Sequence, residues 1–77
     1  MVHAFIMVKT TTGSSADARD AILALEFVVD AHVVAGEYDV IVEADGDAVG
    51  DVLNTASTGI QGLEGVADTK TYVSMSA

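Results

Sequence analysis

The sequence predicts an α+β domain in which two helices cover one face of a four-stranded antiparallel sheet. A chain of 77 residues is long enough for one domain only. Apolar runs of strand length alternate with two segments of helical periodicity. A short segment containing glycine separates the second and third apolar runs, as in a β-hairpin. The predicted order of elements is therefore β-α-β-β-α-β.

The first strand and the first helix are predicted within residues 2–27. Residues 2–8, VHAFIMV, are a continuous apolar run of strand length. A helix is predicted over residues 15–27, where Ser14 and Asp17 match the S-x-x-D capping pattern at its start. Its apolar residues recur at helical spacing and are Ala18, Ala21, Ile22, Leu25 and Val28.

The second half of the predicted fold starts with a hairpin. Strands are predicted over residues 29–35 and 38–44, and Gly36-Glu37 is expected to form a two-residue turn with Gly36 at positive φ. Residues 45–47, DGD, are expected to cap the second helix, which the glycines at 59, 62 and 65 end. Residues 66–75 are rich in Val, Thr and Tyr and predict the last strand. This order is that of the ferredoxin-like fold. The apolar residues of the second helix are Val49, Val52, Leu53, Ala56 and Ile60.

The first predicted strand is apolar on both faces. Two helices cover only one face of a sheet, and the uncovered face of an antiparallel sheet normally carries polar residues. The second face is therefore expected to be buried against another subunit, most simply a second copy in a two-fold homodimer. One face of the strand presents Val2, Ala4, Ile6 and Val8, and the other presents Phe5 and Met7.

The composition excludes several classes of function. The absence of cysteine removes disulfides, thiolate metal sites and thiol redox chemistry. Twelve acidic residues face three basic ones, and the formal charge of −9 argues against binding to nucleic acid or to an anionic membrane. No apolar run could span a bilayer and no signal peptide is evident, so we expect a cytoplasmic protein. The scattered acidity suggests adaptation to a high-salt cytoplasm or, alternatively, a surface for a cationic partner.

No catalytic or metal-binding motif is evident. His3 and His32 lie in apolar strand runs without an orienting carboxylate at a defined spacing, so structural or interface roles are expected. The glycines at 59, 62 and 65 lack the preceding strand and the following lysine of a phosphate-binding loop. The segment ADGDAVGD does not match the EF-hand calcium loop, so helix capping is the better interpretation. We therefore predict no enzyme, no cofactor and no metal site.

Asp39 has no evident role in turn chemistry. One interpretation is a solvated carboxylate near the end of the sheet, on the same strand face as Ile41 and Glu43. A second interpretation is a ligand contact, because backbone amides at the Gly36 turn can receive an anion and Asp39 can receive a cation. A site that offers both suits a zwitterion, which suggests a free amino acid.

Two segments resemble the effector-binding domain, also called the RAM domain, of the Lrp/AsnC family of transcription regulators. The segment VVAGEYDVIVEAD is similar to the family's hydrophobic strand, G-x-Y/F-D turn and returning strand. The segment GLEGVADTKTYVSM is similar to the family's L-P-G-V-x-x-T-x-T-Y-V-x-M ending, with Glu64 where proline is common. The resemblance covers essentially all 77 residues.

The resemblance implies a ferredoxin-like domain that dimerises through its sheet and forms larger, often ring-shaped, assemblies of dimers. Such domains bind amino acids in clefts between neighbouring dimers. By position, Asp39 would hold the ammonium group of the ligand. The final strand lines the same cleft in the family, and a cleft between subunits could use both faces of that strand. The implied ligand-binding residues are Gly36, Tyr38, Asp39, Thr69, Thr71 and Tyr72.

The chain departs from the family at its start. Full-length members carry an N-terminal helix-turn-helix, whereas here the effector domain occupies residues 1–77, and Met1 favours a stand-alone domain over a truncated one. The expected function is non-catalytic amino-acid sensing, exerted through mixed assembly with a full-length Lrp/AsnC-type regulator or through another partner. One alternative is a small dimeric ferredoxin-like enzyme of the monooxygenase type, with His3 or His32 near a cleft between sheet and helices. A purely structural oligomerisation module is the other.

Overall fold

The predicted order of strands and helices is confirmed. The computed structural model describes residues 1–76, and the fold is ferredoxin-like. The sheet has the strand order β2-β3-β1-β4, and every neighbouring pair of strands is antiparallel. Neither helix within residues 1–76 has the length and apolar character needed to cross a membrane. The strands are β1 (Val2–Thr10), β2 (Val28–Val33), β3 (Val40–Gly46) and β4 (Val66–Val73), and the helices are α1 (Ser15–Leu23) and α2 (Val49–Asn54), the latter continuing into a π-helical segment (Thr55–Ile60).

The hydrophobic core lies between the helices and one face of the sheet. A helix of nine residues is marginal in water by itself, so α1 depends on the burial of Ala18 and Ile22 against the strands. Val52 and Ile60 provide the corresponding contacts on the other side, and both are fully buried. The two central strands contribute alternate residues that are also fully buried: Ala4, Ile6, Val8, Val40, Val42 and Ala44.

No helix within the described residues covers the opposite side of the sheet, which we call the open face. At its centre lie Phe5, Met7 and Ile41, which are half-buried by their neighbours in the same sheet. Polar and charged residues surround these three, so the open face has an apolar centre and a charged border. The residues that point to the open face are His3, Phe5, Met7, Lys9, Asp30, His32, Ile41, Glu43, Asp45, Asp68, Lys70 and Tyr72.

The first helix is shorter than predicted. It ends at Leu23 and not at residue 27. Tight backbone bonds from Ala24 N to Ala21 O (3.2 Å) and from Leu25 N to Ile22 O (3.0 Å) close its last turn. Phe27 then takes a positive φ of 72°, which no helix can continue through. The chain leaves the helix early because it must reverse direction to enter β2.

Ser14 is the N-cap residue of α1, as predicted, but the predicted side-chain cap of α1 and the predicted cap of α2 are wrong. The Ser14 hydroxyl lies 2.9 Å from Thr11 Oγ1 and makes no capping bond to α1. The strand β3 extends through Asp45 to Gly46, so DGD does not cap α2. Instead Asp51 caps α2 from inside the helix, since its Oδ2 accepts bonds from the backbone N–H groups of Asp47 and Ala48, both at 3.2 Å.

The second helix buries a narrower stripe than predicted. Val49 and Leu53 are 47% and 44% exposed, although their spacing predicted core positions. The helix widens after Asn54, where Gln61 N bonds Ala56 O (3.2 Å), five residues back, as in a π-helix. The buried members of the predicted set are those spaced four apart: Val52, Ala56 and Ile60.

The connection between β2 and β3 is a loop of residues 34–39 and not a two-residue turn. A bond from Val34 N to Asp39 O (2.9 Å) closes it. Gly36 does not take positive φ, since the positive-φ glycines among residues 1–76 are Gly13 and Gly65. The predicted turn was wrong because Asp39 is bonded outside the hairpin, to Val8 O through its backbone N–H (2.9 Å) and to Thr10 through its side chain.

Gly65 provides a test of the turn before β4. Its φ is +88°, and a Cβ placed there would lie 2.9 Å from Ser14 Cβ. We expect Gly65→Ala to lower the free energy of unfolding by about 2 kcal/mol or more, because it combines left-handed strain with a clash. Urea denaturation measures this. The control is Gly50→Ala in α2, where a Cβ meets nothing within 4 Å and stability should rise by up to about 1 kcal/mol. Equal effects of the two substitutions would contradict this account.

Candidate functional site

Asp39 fastens the residue 34–39 loop to the end of β1. Its Oδ2 accepts hydrogen bonds from Thr10 N (2.8 Å) and from Thr10 Oγ1 (3.2 Å). Its backbone N–H donates to Val8 O. The side chain is half-buried, so Asp39 is held in one place and is not a freely solvated carboxylate. It also does not share a strand face with Ile41 and Glu43, because it precedes β3.

The second carboxylate oxygen of Asp39 is open. Within residues 1–76, both bonds to this side chain end on Oδ2, and no donor is bonded to Oδ1. No buried side-chain oxygen in that part of the chain lacks a partner, so Oδ1 must reach solvent. A carboxylate fixed through one oxygen and open at the other is suited to accept a charge-assisted bond from an ammonium group.

Backbone donors lie in the same loop as this carboxylate. The N–H groups of residues 35–38 donate to no protein acceptor in the described chain. Space is available beside Gly36, where an added Cβ would meet no atom within 4 Å. Successive free amides can bind an anion. The loop therefore carries unbonded amide donors and one unbonded carboxylate oxygen.

Tyr38 connects this loop to the open face. The centroid of its ring lies 5.9 Å from Lys9 Nζ. The hydroxyl of Tyr38 raises the pKa of Lys70, and Tyr72 adds a smaller effect in the same direction. These four side chains form a Lys–Tyr cluster (Lys9, Tyr38, Lys70 and Tyr72) over β1 and β4. Two of the six implied ligand-binding residues, Tyr38 and Tyr72, thus lie in one region.

The two threonines lie on the other side of the sheet. Thr69 pairs with Val8 and accepts a bond from Gln61 Nε2 (2.7 Å), so it faces the helical layer. Thr71 pairs with Ile6 on the same face. Tyr72, by contrast, is 56% exposed on the open face. The six implied residues are therefore split between a loop and two faces of β4, and one chain does not gather them around one ligand.

Two surface grooves of the single chain lie away from these residues. Both are shallow and open to solvent, unlike the enclosed pockets typical of small-molecule sites. Neither groove is lined by an implied ligand-binding residue. One of about 390 Å³ is lined by Ala16, Arg19, Asp20, Ala31, His32 and Val33, and one of about 440 Å³ by Ser14, Asp17, Ala21, Leu63, Glu64 and Gly65.

The open face holds a His–carboxylate cluster that the sequence did not reveal. His3 Nδ1 contacts Asp45 Oδ1, and His3 Nε2 lies 3.6 Å from Glu43 Oε1. His32 Nε2 lies 3.2 Å from Asp30 Oδ2 and 3.7 Å from Glu43 Oε2. The expectation that neither histidine has an orienting carboxylate was wrong. The spacing of Asp30 and His32, two residues apart in a predicted strand, could have indicated their contact, whereas the contacts with Glu43 and Asp45 depend on cross-strand register.

The surroundings of the histidines do not favour one alternative function. A monooxygenase-type enzyme was expected to place His3 or His32 near a cleft between the sheet and the helices. His3 points to the open face, and His32 points to the same face at the edge of the sheet, where it also borders the shallow groove between β2 and α1. The layer between sheet and helices is filled by apolar side chains such as Ile6 and Ile22, which are fully buried.

The carboxylates around His3 alter its protonation. The hydrogen bond with Asp45 is the largest effect and raises the pKa of His3 above its ordinary value of 6.5. Desolvation opposes this increase, while the negative charges of Asp45 and Glu43 add to it. The imidazole therefore stays protonated, and paired with Asp45, to a higher pH in the folded chain than in the unfolded one.

One family model matches the sequence over nearly its whole length. The model describes the Lrp/AsnC ligand binding domain and matches residues 3–77. No protein of curated function gives a significant match.

Three crystal structures illustrate the structural likeness. TTHA0845 from Thermus thermophilus has a TM-score of 0.94 at 27% identity, over 100% of this chain and 96% of that chain. The hypothetical protein PHS023 from Pyrococcus horikoshii has a TM-score of 0.89 at 31% identity, over 100% and 93% of the respective chains. The transcriptional regulator NMB0573 from Neisseria meningitidis, in complex with L-Met, has a TM-score of 0.80 at 19% identity, over 97% and 50%. At 19% identity the last likeness shows the fold alone.

The raised pKa of His3 predicts a pH dependence of stability. Because its ion pairs form only in the folded chain, their contribution is full below the unfolded pKa of 6.5 and is lost as pH rises through the higher folded pKa. We therefore expect the free energy of unfolding of the wild type to exceed that of His3→Gln by more at about pH 5.5 than at about pH 8.5. Urea denaturation in buffer containing a chelator measures both. A difference that is the same at the two pH values would contradict this coupling.

Proposed function

The chain belongs to the Lrp/AsnC ligand-binding domain family, and from this we propose that it is a non-catalytic regulatory domain that binds a free amino acid between copies of itself. The observation that carries the proposal is the loop of residues 34–39. There the fixed carboxylate of Asp39 and free backbone amides offer the two complementary charges of a zwitterion. Transcription would respond through assembly with full-length Lrp/AsnC-type regulators in the cytoplasm.

Asp39 receives the ammonium group of the ligand in this proposal. Thr10 already holds Oδ2, so Oδ1 is presented to the ligand without a further loss of side-chain freedom. The amides beside Gly36 receive the ligand carboxylate, and Tyr38 borders the loop. The L-Met complex of the Neisseria regulator supports an amino acid as the class of ligand, by analogy of family and fold.

The remaining implied residues reach the ligand only at a boundary between copies. Thr69 and Thr71 face the helical layer while Tyr72 faces the other way. Because β4 is an edge strand, a ligand that touched all three from within one chain would have to wrap around the free edge of the sheet. A neighbouring copy supplies the missing face, so the proposed effector cleft lies between subunits.

The apolar centre of the open face favours the pairing of two copies of the chain. Phe5, Met7 and Ile41 form an apolar centre, and Tyr72 beside them is 56% exposed. Burial of apolar surface contributes about 25 cal/mol per Å², so covering this centre with a second copy is favourable. A two-fold pair places the same apolar centre on both sides of the contact.

The distribution of charge also favours pairing through the open face. A chain of net charge −9 repels its own copies over most of its surface. Both lysines and both histidines point to the open face, beside four of the twelve acidic residues. Elsewhere the remaining acidic residues are accompanied by Arg19 alone. The open face is therefore the surface on which two copies can oppose unlike charges.

A structural oligomerisation module is the second candidate function. The two bonds between Thr10 and Asp39 favour it, because they give Asp39 a structural role that needs no ligand. A module of this kind would pair through the open face without binding an amino acid. Ligand titration therefore separates the two candidates.

Asp39→Asn tests the proposed ammonium contact. Asparagine keeps an oxygen that can accept the Thr10 bonds, so the loop should stay folded while the charge is lost. A hydrogen bond to a charged group contributes about 1.5–3 kcal/mol, so affinity should fall by roughly tenfold or more. Calorimetric titration with the twenty amino acids first identifies a ligand of the wild type. Thr10→Val is the matched control. It removes the 3.2 Å bond but keeps the charge of Asp39, so it should lose less affinity for the amino acid than Asp39→Asn does. A wild type that binds no amino acid at millimolar concentration, or equal binding by Asp39→Asn, would contradict the proposal.

Met7→Asp tests pairing through the open face. In a two-fold dimer each copy would bury a new carboxylate at the apolar centre, so the dimer Kd should rise about 100-fold or more. Sedimentation velocity across a salt series measures it, with circular dichroism as a check of folding. Leu53→Asp makes the same change on the helical side, at a residue 44% exposed, and should leave the Kd unchanged. A wild type that is monomeric at every salt concentration would refute pairing.

A further inference from the structure

Three side chains on the open face bring their ligand atoms together. His32 Nε2 lies 3.2 Å from Asp30 Oδ2 and 3.7 Å from Glu43 Oε2, and the three ligand atoms all lie within 4.8 Å of one another. Zinc binds nitrogen and oxygen at about 2.0–2.2 Å, so the ligand atoms of a tetrahedral site stand roughly 3.3–3.6 Å apart. We propose that Asp30, His32 and Glu43 bind a divalent transition-metal ion, for which Zn²⁺ is the probe.

A β-bulge in β2 produces this arrangement. The register with β3 shifts between Val28 and Asp30, so that Val29 is an extra residue. In a regular strand Val29 would oppose Glu43, and Asp30 would point toward the helices. Asp30 and His32 are two residues apart and share a strand face in any case; the bulge turns that face to the open side of the sheet and places Asp30 directly opposite Glu43.

Glu43 is held in position from its other side. Its Oε1 lies 3.6 Å from His3 Nε2, and His3 Nδ1 contacts Asp45 in turn. This chain of contacts orients Glu43 so that Oε2 faces His32. Outer contacts of this kind orient the ligands of protein metal sites and reduce the cost of assembling them.

The donor atoms select a class of ion. One imidazole with two carboxylates suits zinc and neighbouring transition metals, whereas magnesium and calcium prefer oxygen ligands alone. Two carboxylates and a neutral imidazole carry a charge that a dication balances. In the single chain the side chains of His32 and Asp30 are 54% and 46% exposed, and both lie on the edge strand β2, so an ion can reach them at the border of the open face.

The open side of the ion faces solvent or a second copy of the chain. The geometry belongs to one chain, and the inference does not rest on the binding of an amino acid. A failure of zinc binding would therefore leave the Asp39 site untouched, and a failure of amino-acid binding would leave the metal site untouched.

Calorimetric titration of the full chain with Zn²⁺ tests the inference. It is done in about 1 M KCl, where a screening length of about 3 Å suppresses attraction to the general acidic surface. We expect one Zn²⁺ per chain and no comparable binding of Mg²⁺. His32→Gln, Glu43→Gln and Asp30→Asn should each lower the zinc affinity by about tenfold or more.

Two comparisons make the result specific. Asp68→Asn removes a carboxylate from the same face, opposite Lys9 and outside the cluster, and should leave zinc affinity unchanged. Imidazole ¹⁵N spectra should show zinc shifting the nitrogens of His32 more than those of His3. Equal zinc affinity in His32→Gln and wild type would overturn the proposal, as would Mg²⁺ binding as tight as zinc. So would a zinc-induced shift at His3 but not at His32. Circular dichroism confirms that each variant is folded.

Discussion

The structure depends on one constraint: β1 lies inside the sheet and is apolar on both faces, yet the two helices can cover only one. The covered face carries Ala4, Ile6 and Val8, which are fully buried. The open face carries Phe5 and Met7, and β3 contributes Ile41 beside them. A small domain has little apolar surface to bury. If the apolar centre of the open face stayed in water, the domain would lose much of the stabilisation that burial provides. Pairing of two copies through the open face resolves the constraint and gives the chain its proposed role in an assembly.

The charge distribution and the loop of residues 34–39 are consistent with this arrangement. A net charge of −9 opposes association in general, while the open face collects both lysines and both histidines. Asp39 is bonded to Val8 and Thr10, at the end of the same strand that carries Phe5 and Met7. In the proposed mode, the group that contacts the effector is therefore attached to the strand that carries the pairing surface. Ligand binding and the pairing of copies would then both involve the strand β1.

The sequence predicted the elements of the fold well and their ends poorly. The pleat of a strand places alternate residues on one face, so Ala4, Ile6 and Val8 were assigned to a common face of β1 from the sequence, and all three are fully buried. The ends of elements depend on contacts with other parts of the chain. Gly36 suggested a tight turn, but the chain forms a loop in which Asp39 bonds Val8, a residue far away in sequence. Asp51 caps α2 from within the helix, where the local pattern favoured the residues that precede it.

In the candidate sites, too, local features could be predicted from the sequence, whereas contacts between distant residues could not. Asp39 could be singled out because a carboxylate beside a glycine turn has no local explanation, whereas its bonds to Thr10 join residues far apart in sequence. Of the cluster around Glu43, only the Asp30–His32 pair follows from spacing along a strand; the contacts with Glu43 and His3 depend on register across β1, β2 and β3 and on the bulge at Val29.

The three methionines allow a direct measurement of the central claim. Met1 and Met75 are 95% and 97% exposed, whereas Met7 lies at the centre of the open face. Labelling the methionine methyl groups with ¹³C and adding a soluble paramagnetic agent measures the access of solvent to each. Pairing through the open face predicts that the Met7 signal is protected like a core residue, and that dilution below the dimer Kd removes this protection. A Met7 signal that broadens equally at every protein concentration would contradict the account.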